Sequence, residues 1–226
     1  MSNSDIAHWD LVHQKTYKGT ESHSKYAEEK EVLFPRNSLV VDLGAGTGSD
    51  ALYFARKGHK VILLDISNYA LEKAKERAVK EGLQENIFTQ QTDFGLDELP
   101  IKSDSADVVY SRISLHYFES NHTMKLFRDI YRILKIGGVA YLTFKSPKDH
   151  VEMEYLRKRA SEFEKNVFIE NGQLRSRFTV EQLNSILEKA GINDFSVNEY
   201  IEDLFDISGN LLGKLYLNEV VIRKFG

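Results

Sequence analysis

Asp42, Gly44, Gly46 and Gly48, in the stretch VVDLGAGTGSDALYFA (40–55), have the types and spacing of a ligand-binding turn. An apolar run leads in and an amphipathic run leads out, which lets backbone approach a ligand at a helix N-terminus. A pyrophosphate loop, G-x-G-x-x-G or A counted from Gly44, fits poorly because position 49 is Ser49. A phosphate loop of the Gly-Lys-Ser/Thr kind fits poorly because the lysine is absent. Alternate glycines beside an aspartate suit a ligand lying flat on the loop. Three glycines in five residues weaken a fold unless close approach requires them.

Two more carboxylates extend the chemistry. Asp65 ends a second apolar run, 21 residues beyond Gly44, where an acid can accept hydrogen bonds from both hydroxyls of a ribose. Nicotinamide enzymes share that feature, so it does not by itself choose the ligand. Asp93 and Phe94 follow a third run, and a carboxylate beside a ring can hold an amino group and stack a purine. A turn aspartate next to a core phenylalanine is the plainer reading of that pair. Farther on, GQLRSRF (172–178) puts Arg175 and Arg177 on one face if extended, a pair able to hold a carboxylate; a solvated edge strand is the alternative.

The elements that must position these residues alternate along the chain. SLVVDL (38–43), KVILLD (60–65), NIFTQQ (86–91), ADVVYS (106–111) and VAYLTFK (139–145) read as strands. Helices fall at 47–59, with Leu52, Phe54 and Ala55 apolar, at 67–82, with Ser67 as N-cap and Gly82 as stop, and at 120–138. Continuous apolar strands between amphipathic helices give a doubly wound, mostly parallel sheet covered on both faces. A charged helix is expected from Pro147 to about Asn166, and another over 178–191 with Thr179 as cap. Stretches 194–205 and 214–224, joined by DISGNLLG, read as an antiparallel hairpin that ends the sheet.

Composition narrows the class. The chain has 226 residues, 42% hydrophobic and 28% charged, with net charge −4. That suits one domain and gives no large basic surface for nucleic acid. With no cysteine, disulfides, thiolate catalysis and cysteine metal sites are excluded, and no other metal site is expected. No apolar run has signal-peptide or membrane-span length, and a cytoplasmic location is expected.

Taken together, VVDLGAGTG, VILLDIS, QTDF, DVVYSRISLHYF and LKIGGVAYLTF resemble the successive motifs of class I S-adenosylmethionine-dependent methyltransferases. The likeness is good over 38–146 and loose over 176–226. It implies a Rossmann-like seven-stranded sheet of order 3-2-1-4-5-7-6 with S-adenosylmethionine as cofactor and S-adenosylhomocysteine as product. It further implies that Gly44 and Gly46 pass under the methionine part, with Asp42 and Ala45 beside it. Asp65 would bind the ribose, Ile66 would pack on adenine, and Asp93 and Phe94 would hold its edge and face. Ser111 would lie near the methionine end.

The acceptor side is less defined. His116, five residues past Ser111, is the candidate general base, with a packing histidine as the alternative. HWDLVHQKTYKG (8–19) resembles N-terminal lids of the family, which makes Trp9 and Tyr17 lid candidates and 1–37 a helical lid on a catalytic domain at 38–226. YSRIS after the fourth strand lacks an Asn-Pro-Pro-Tyr motif, which disfavours amino methylation of adenine or glutamine. A small-molecule acceptor is the leading expectation, for a monomer or dimer. The alternatives are an RNA or protein methyltransferase, a non-catalytic S-adenosylmethionine-binding protein, and a nicotinamide oxidoreductase, which Ser49 disfavours.

Overall fold

The computed structural model describes residues 3–96, 98–205 and 211–226. β1 (Leu39–Leu43), β2 (Lys60–Asp65), β3 (Ile87–Gln91), β4 (Ala106–Arg112) and β5 (Leu134–Lys145) run parallel, and β9 (Phe195–Phe205) and β10 (Leu211–Arg223) are antiparallel. The sheet order is β3-β2-β1-β4-β5-β10-β9, the expected topology. β1 pairs with β2 on one side and β4 on the other, both parallel, so the order of strands reverses there and a crevice opens at their carboxyl ends.

Each face of the sheet carries its own core. α3 (Ser49–Arg56) and α4 (Asn68–Lys80) bury Leu52, Phe54, Ala55, Ala70, Ala74 and Ala78 on one face. α5 (Ser120–Ile133) and α7 (Val180–Lys189) bury Phe127, Ile130, Leu183 and Leu187 on the other. Thr179 and Gln182 form a full capping box at the start of α7. At the N-terminus, α1 (Asn3–Thr16) lies against α4, and α2 (Lys25–Glu31) packs on α3 with Tyr26 and Ala27 buried. Among the described residues no helix is long and apolar enough to cross a membrane.

Two expectations need correction. The helix read over 120–138 ends at Ile133, and Leu134 already belongs to β5. Leu134 is as buried in the strand as helical spacing required, so periodicity alone could not place the boundary. The helix after Pro147, α6 (His150–Arg159), stops well short of Asn166. In its place comes a separate antiparallel sheet of β6 (Ser161–Glu164), β7 (Val167–Glu170) and β8 (Gln173–Ser176), turned at Asn166 and at Asn171-Gly172 in the left-handed region. The terminal hairpin is present as β9–β10; the segment 206–210 of its DISGNLLG connection lies outside the described residues.

Candidate active site

The glycine loop is fixed to the end of β2. The N–H groups of Gly44 and Ala45 donate to the Leu64 carbonyl at 2.7 and 3.3 Å. Gly44 has φ +69°, and a Cβ there would lie 2.3 Å from Ser114 Cβ. Gly46 has φ +53°, and its Cβ would meet the His13 ring at 3.3 Å. The first glycine is therefore required by the protein's own packing, and the second faces a side chain of the N-terminal helix.

Asp65 is 5% exposed, and its two oxygens accept from Gly46 N and Ser67 N, each at 2.8 Å. Burial raises its carboxyl above the ordinary value, while those two N–H groups and His13 pull it back. A carboxylate has about four lone-pair sites, so two remain for a ligand. Gly44, Gly46 and Asp65 form one side of a front cleft, with Ile66, Asp93 and Phe94 at one end. Ile113, Ser114 and Tyr117 make another wall, and Trp9 and His13 of α1 cover it. Asp10 anchors that cover: its Oδ1 accepts from Ser67 Oγ at 2.6 Å and from Tyr69 N at 3.1 Å, at the N-terminus of α4.

A second cleft shares Gly44 and is lined also by Ala45, Asp42, Asp50 and Tyr110. Asp50 accepts from Ser24 N at 2.6 Å, Ser24 Oγ at 2.9 Å and Tyr110 OH at 2.7 Å. Asp42 is 3% exposed, and among the described residues no group donates a hydrogen bond to its carboxyl. Burial, then Asp50 and Asp65, raise it well above the ordinary carboxylate range. A buried acid without a donor, facing a cleft, is a place where a bound cation or ammonium relieves a cost the empty fold carries.

Ser111 sits differently from its expectation. It is fully buried behind the front cleft, donating to the Leu43 carbonyl at 2.8 Å and paired with Ser114 Oγ at 2.5 Å. Ser114, three residues on, reaches the cleft in its place. The chain turns there through Ile113, a β-branched residue at φ +55°, held by a bond from its N–H to Thr143 Oγ1 at 3.0 Å. Such strain persists only where surrounding structure over-determines it, and it clusters at functional sites.

His116, Arg175 and Arg177 fall together, but in a third cavity with Lys145, Glu152 and Glu170. His116 therefore lies outside the front cleft. Only Ile113 and Tyr117 line both spaces. The β8 backbone reaches this loop directly, Ser176 N donating to the His116 carbonyl at 2.9 Å. Arg177 is 2% exposed and is committed to Glu152, Nε to Oε2 at 2.8 Å and Nη2 to Oε1 at 2.9 Å, so it is neither a solvated strand residue nor a free anion clamp. Tyr17 packs edge-on to Tyr69 and does not line the front cleft, unlike Trp9.

Sequence reading missed His13, Asp10, Asp50, Ser114 and Tyr117. His13 had a signal, four residues after Trp9 on one helix face. Ser114 and Tyr117 had none, because their placement depends on the left-handed turn at Ile113.

Comparison with known proteins agrees with this architecture. Residues 40–138 match the family described as "Methyltransferase domain". A 2-methyl-6-phytyl-1,4-hydroquinone methyltransferase from Oryza sativa subsp. japonica is 34% identical over 125 residues, 54% of this chain and 36% of that protein. A sarcosine/dimethylglycine N-methyltransferase from Aphanothece halophytica is 34% identical over 106 residues, 46% of this chain and 37% of that protein. The chain thus spans little more than a third of either relative's length. The solved structure of a SAM-dependent methyltransferase from Methanosarcina mazei superposes with TM-score 0.69 at 19% identity, covering 91% of this chain and all of that one, a likeness of fold. Over 40–138 the chain thus resembles a methyltransferase domain, and its fold resembles that of S-adenosylmethionine-dependent methyltransferases of known structure.

Proposed function

We propose that this chain binds S-adenosylmethionine across the front and second clefts and catalyses methyl transfer to a small-molecule acceptor. The observation that carries the reading is the pair of buried carboxylates on either side of the glycine loop. Asp42 lacks a donor on one side, and Asp65 is braced by two N–H groups on the other. Asp65 would take the ribose hydroxyls, Ile66, Asp93 and Phe94 the adenine, and Asp42 the methionyl ammonium. Gly44, Ala45 and Gly46 would offer backbone without a side chain in the way. When bound, the cofactor supplies an electrophilic methyl on a sulfonium. The chain's own contribution is to orient and to exclude water, which can supply roughly 7–11 kcal/mol in favourable cases.

Residues 1–37 act in this reading as a lid. Trp9 and His13 cover the cleft, and Asp10 ties α1 to the same helix terminus that presents Ser67 to Asp65. A small-molecule acceptor is supported by the two relatives, methyltransferases of a hydroquinone and of sarcosine and dimethylglycine. His116 would serve as a base only for an acceptor reaching into the third cavity.

The test is calorimetric titration with S-adenosylhomocysteine, with NADH as control, followed by measurement of S-adenosylhomocysteine release over a panel of hydroquinones and glycine derivatives. Binding of NADH in place of the sulfur ligand refutes the cofactor; tight cofactor binding with no turnover on any acceptor refutes the enzymatic reading.

A further inference from the structure

We infer that the third cavity is an acceptor-binding chamber built for a small molecule carrying one carboxylate; this rests on the cofactor assignment above. The chamber is about 290 Å³ and shares its Ile113 and Tyr117 walls with the front cleft. Its charge is uneven. Lys145, Arg175 and Arg177 face Glu152 and Glu170, three cations against two carboxylates. Burial raises Glu152, but Arg177 and Lys145 outweigh it, and the Tyr155 hydroxyl, then Arg175, hold Glu170 below the ordinary range against a lesser burial, so both are ionised at neutral pH.

The cations are not equivalent. Glu152 takes both Arg177, through two bonds, and Lys145 Nζ at 2.6 Å. Arg175 has the lighter commitment: one bond from Nε to Glu170 Oε2 at 3.2 Å, with its guanidinium 4.8 Å over the Tyr117 ring. That plane lies against the wall the two cavities share. Beside it, His116 is 2% exposed and its Nδ1 has no hydrogen-bond partner. A neutral imidazole offers one donor and one acceptor, and the ring lines the chamber with Nδ1 itself shut off from solvent.

One negative charge balances the chamber. A phosphate monoester brings about −1.5 to −2 and would leave Glu152 and Glu170 repelling it. A carboxylate brings one charge and two coplanar acceptors, which match the guanidinium fork of Arg175. A ligand held there by its carboxylate has its other end at Ile113 and Tyr117, toward the cleft assigned to the cofactor.

The experiment uses the full chain saturated with S-adenosylhomocysteine, whose affinity is measured first, so that failure of the cofactor assignment is seen separately. Sodium benzoate, sodium acetate and inorganic phosphate are then titrated, read by calorimetry and by the imidazole ¹⁵N signals of His116. The expected result is one-to-one carboxylate binding that moves the His116 signals. Arg175→Gln should weaken it about tenfold or more, the factor for one charged hydrogen bond, and Arg175→Lys should weaken it less. S-adenosylhomocysteine affinity should stay unchanged in both variants, which also reports that they are folded. No carboxylate binding to the loaded protein, binding that leaves His116 unmoved, or phosphate binding more tightly than either carboxylate overturns the proposal.

Discussion

The front clefts and the rear chamber lie on two sides of one short segment, residues 113–117, and their electrostatics are opposite. The front is lined by Asp42, Asp50, Asp65 and Asp93, and the rear by Lys145, Arg175 and Arg177 around a neutral histidine. Clustered acids, Asp42 among them without a donor, suit a ligand with an ammonium and hydroxyls; surplus buried cations suit an anion. The sheet edge alone does not create this polarity. β1 and β2 end in aspartates that face the front, whereas the rear collects side chains from β5, α6, β7 and β8. Ile113 keeps the two apart, its left-handed backbone sending Ser114 toward Gly44 and letting His116 turn back.

The largest break is expected at the partition itself. Gly44→Ala places a Cβ on Ser114 and forces an L side chain into φ +69°, so unfolding stability should fall by about 2–4 kcal/mol, overpacking and left-handed cost together. Gly46→Ala carries the left-handed cost at φ +53°, about 1–2 kcal/mol, but meets only the movable ring of His13, so it should lose less stability than Gly44→Ala and more affinity for S-adenosylhomocysteine. Thermal unfolding and calorimetry on both variants separate the two roles. Equal stability losses would mean the loop is a turn throughout, with no ligand reason for Gly46.

Next in size, Asp65→Ala should weaken S-adenosylhomocysteine by roughly 1.5–3 kcal/mol, the range for hydrogen bonds to a charged group. The loss should be confined to the front: carboxylate binding by the cofactor-free protein should not change. Unaltered cofactor affinity in a folded variant removes Asp65 from the site.

Asp42→Asn sharpens the comparison through its sign. The folded-state carboxyl is raised, so between its ordinary value and the raised one the native protein holds a proton that the unfolded chain has released. Stability therefore falls as pH rises through that window, and at neutral pH the buried charge is a cost. Asparagine removes it. The cofactor-free variant should melt higher at pH 7, by roughly 2–4 °C for each 1 kcal/mol recovered, and the gap should close toward pH 4. Its cofactor affinity should drop. A variant no more stable than the wild type would show that Asp42 is already satisfied without ligand.

The two regions also differ in how far the sequence disclosed them. Asp42, Gly44, Asp65, Asp93 and Phe94 stand at the ends of three consecutive parallel strands, so chain order and register bring them to one edge. Strand patterns at 38–65 and 86–91 are enough to find them. The rear chamber needs α6 to end at Arg159 and a three-stranded sheet to follow. That sheet has strands of four residues each, too short for alternation to register. One signal was present: Asn171-Gly172 between VFIE and QLRS is a two-residue hairpin turn, and both residues have positive φ. A reading that stopped the charged helix before that turn would have paired β7 with β8 and set Arg175 opposite Phe168. Nothing in the sequence aligned these residues with His116, because that contact depends on the strained turn at Ile113.

The smallest expected effect lies in the rear chamber and again turns on sign. Burial first, then Arg177, Lys145 and Arg175, hold the His116 imidazole well below its ordinary value, with Glu152 tied up by two of those cations. As pH falls below about 6.5, the unfolded chain takes up a proton at this histidine while the native protein does not. Stability is then lost on acidification, by up to about 1.4 kcal/mol one unit below that value. His116→Gln keeps a buried amide of similar reach and cannot titrate, so its stability should fall less steeply between pH 6.5 and 5.5. Denaturant unfolding at several pH values measures the difference in slope. The front carboxylates, raised by burial, contribute with the opposite sign, so the two regions separate by the sign of the slope. If the slopes match, His116 gains its proton as readily in the native protein as in the unfolded chain. The rear chamber would then be no more cationic than the front, and the contrast between them would fail.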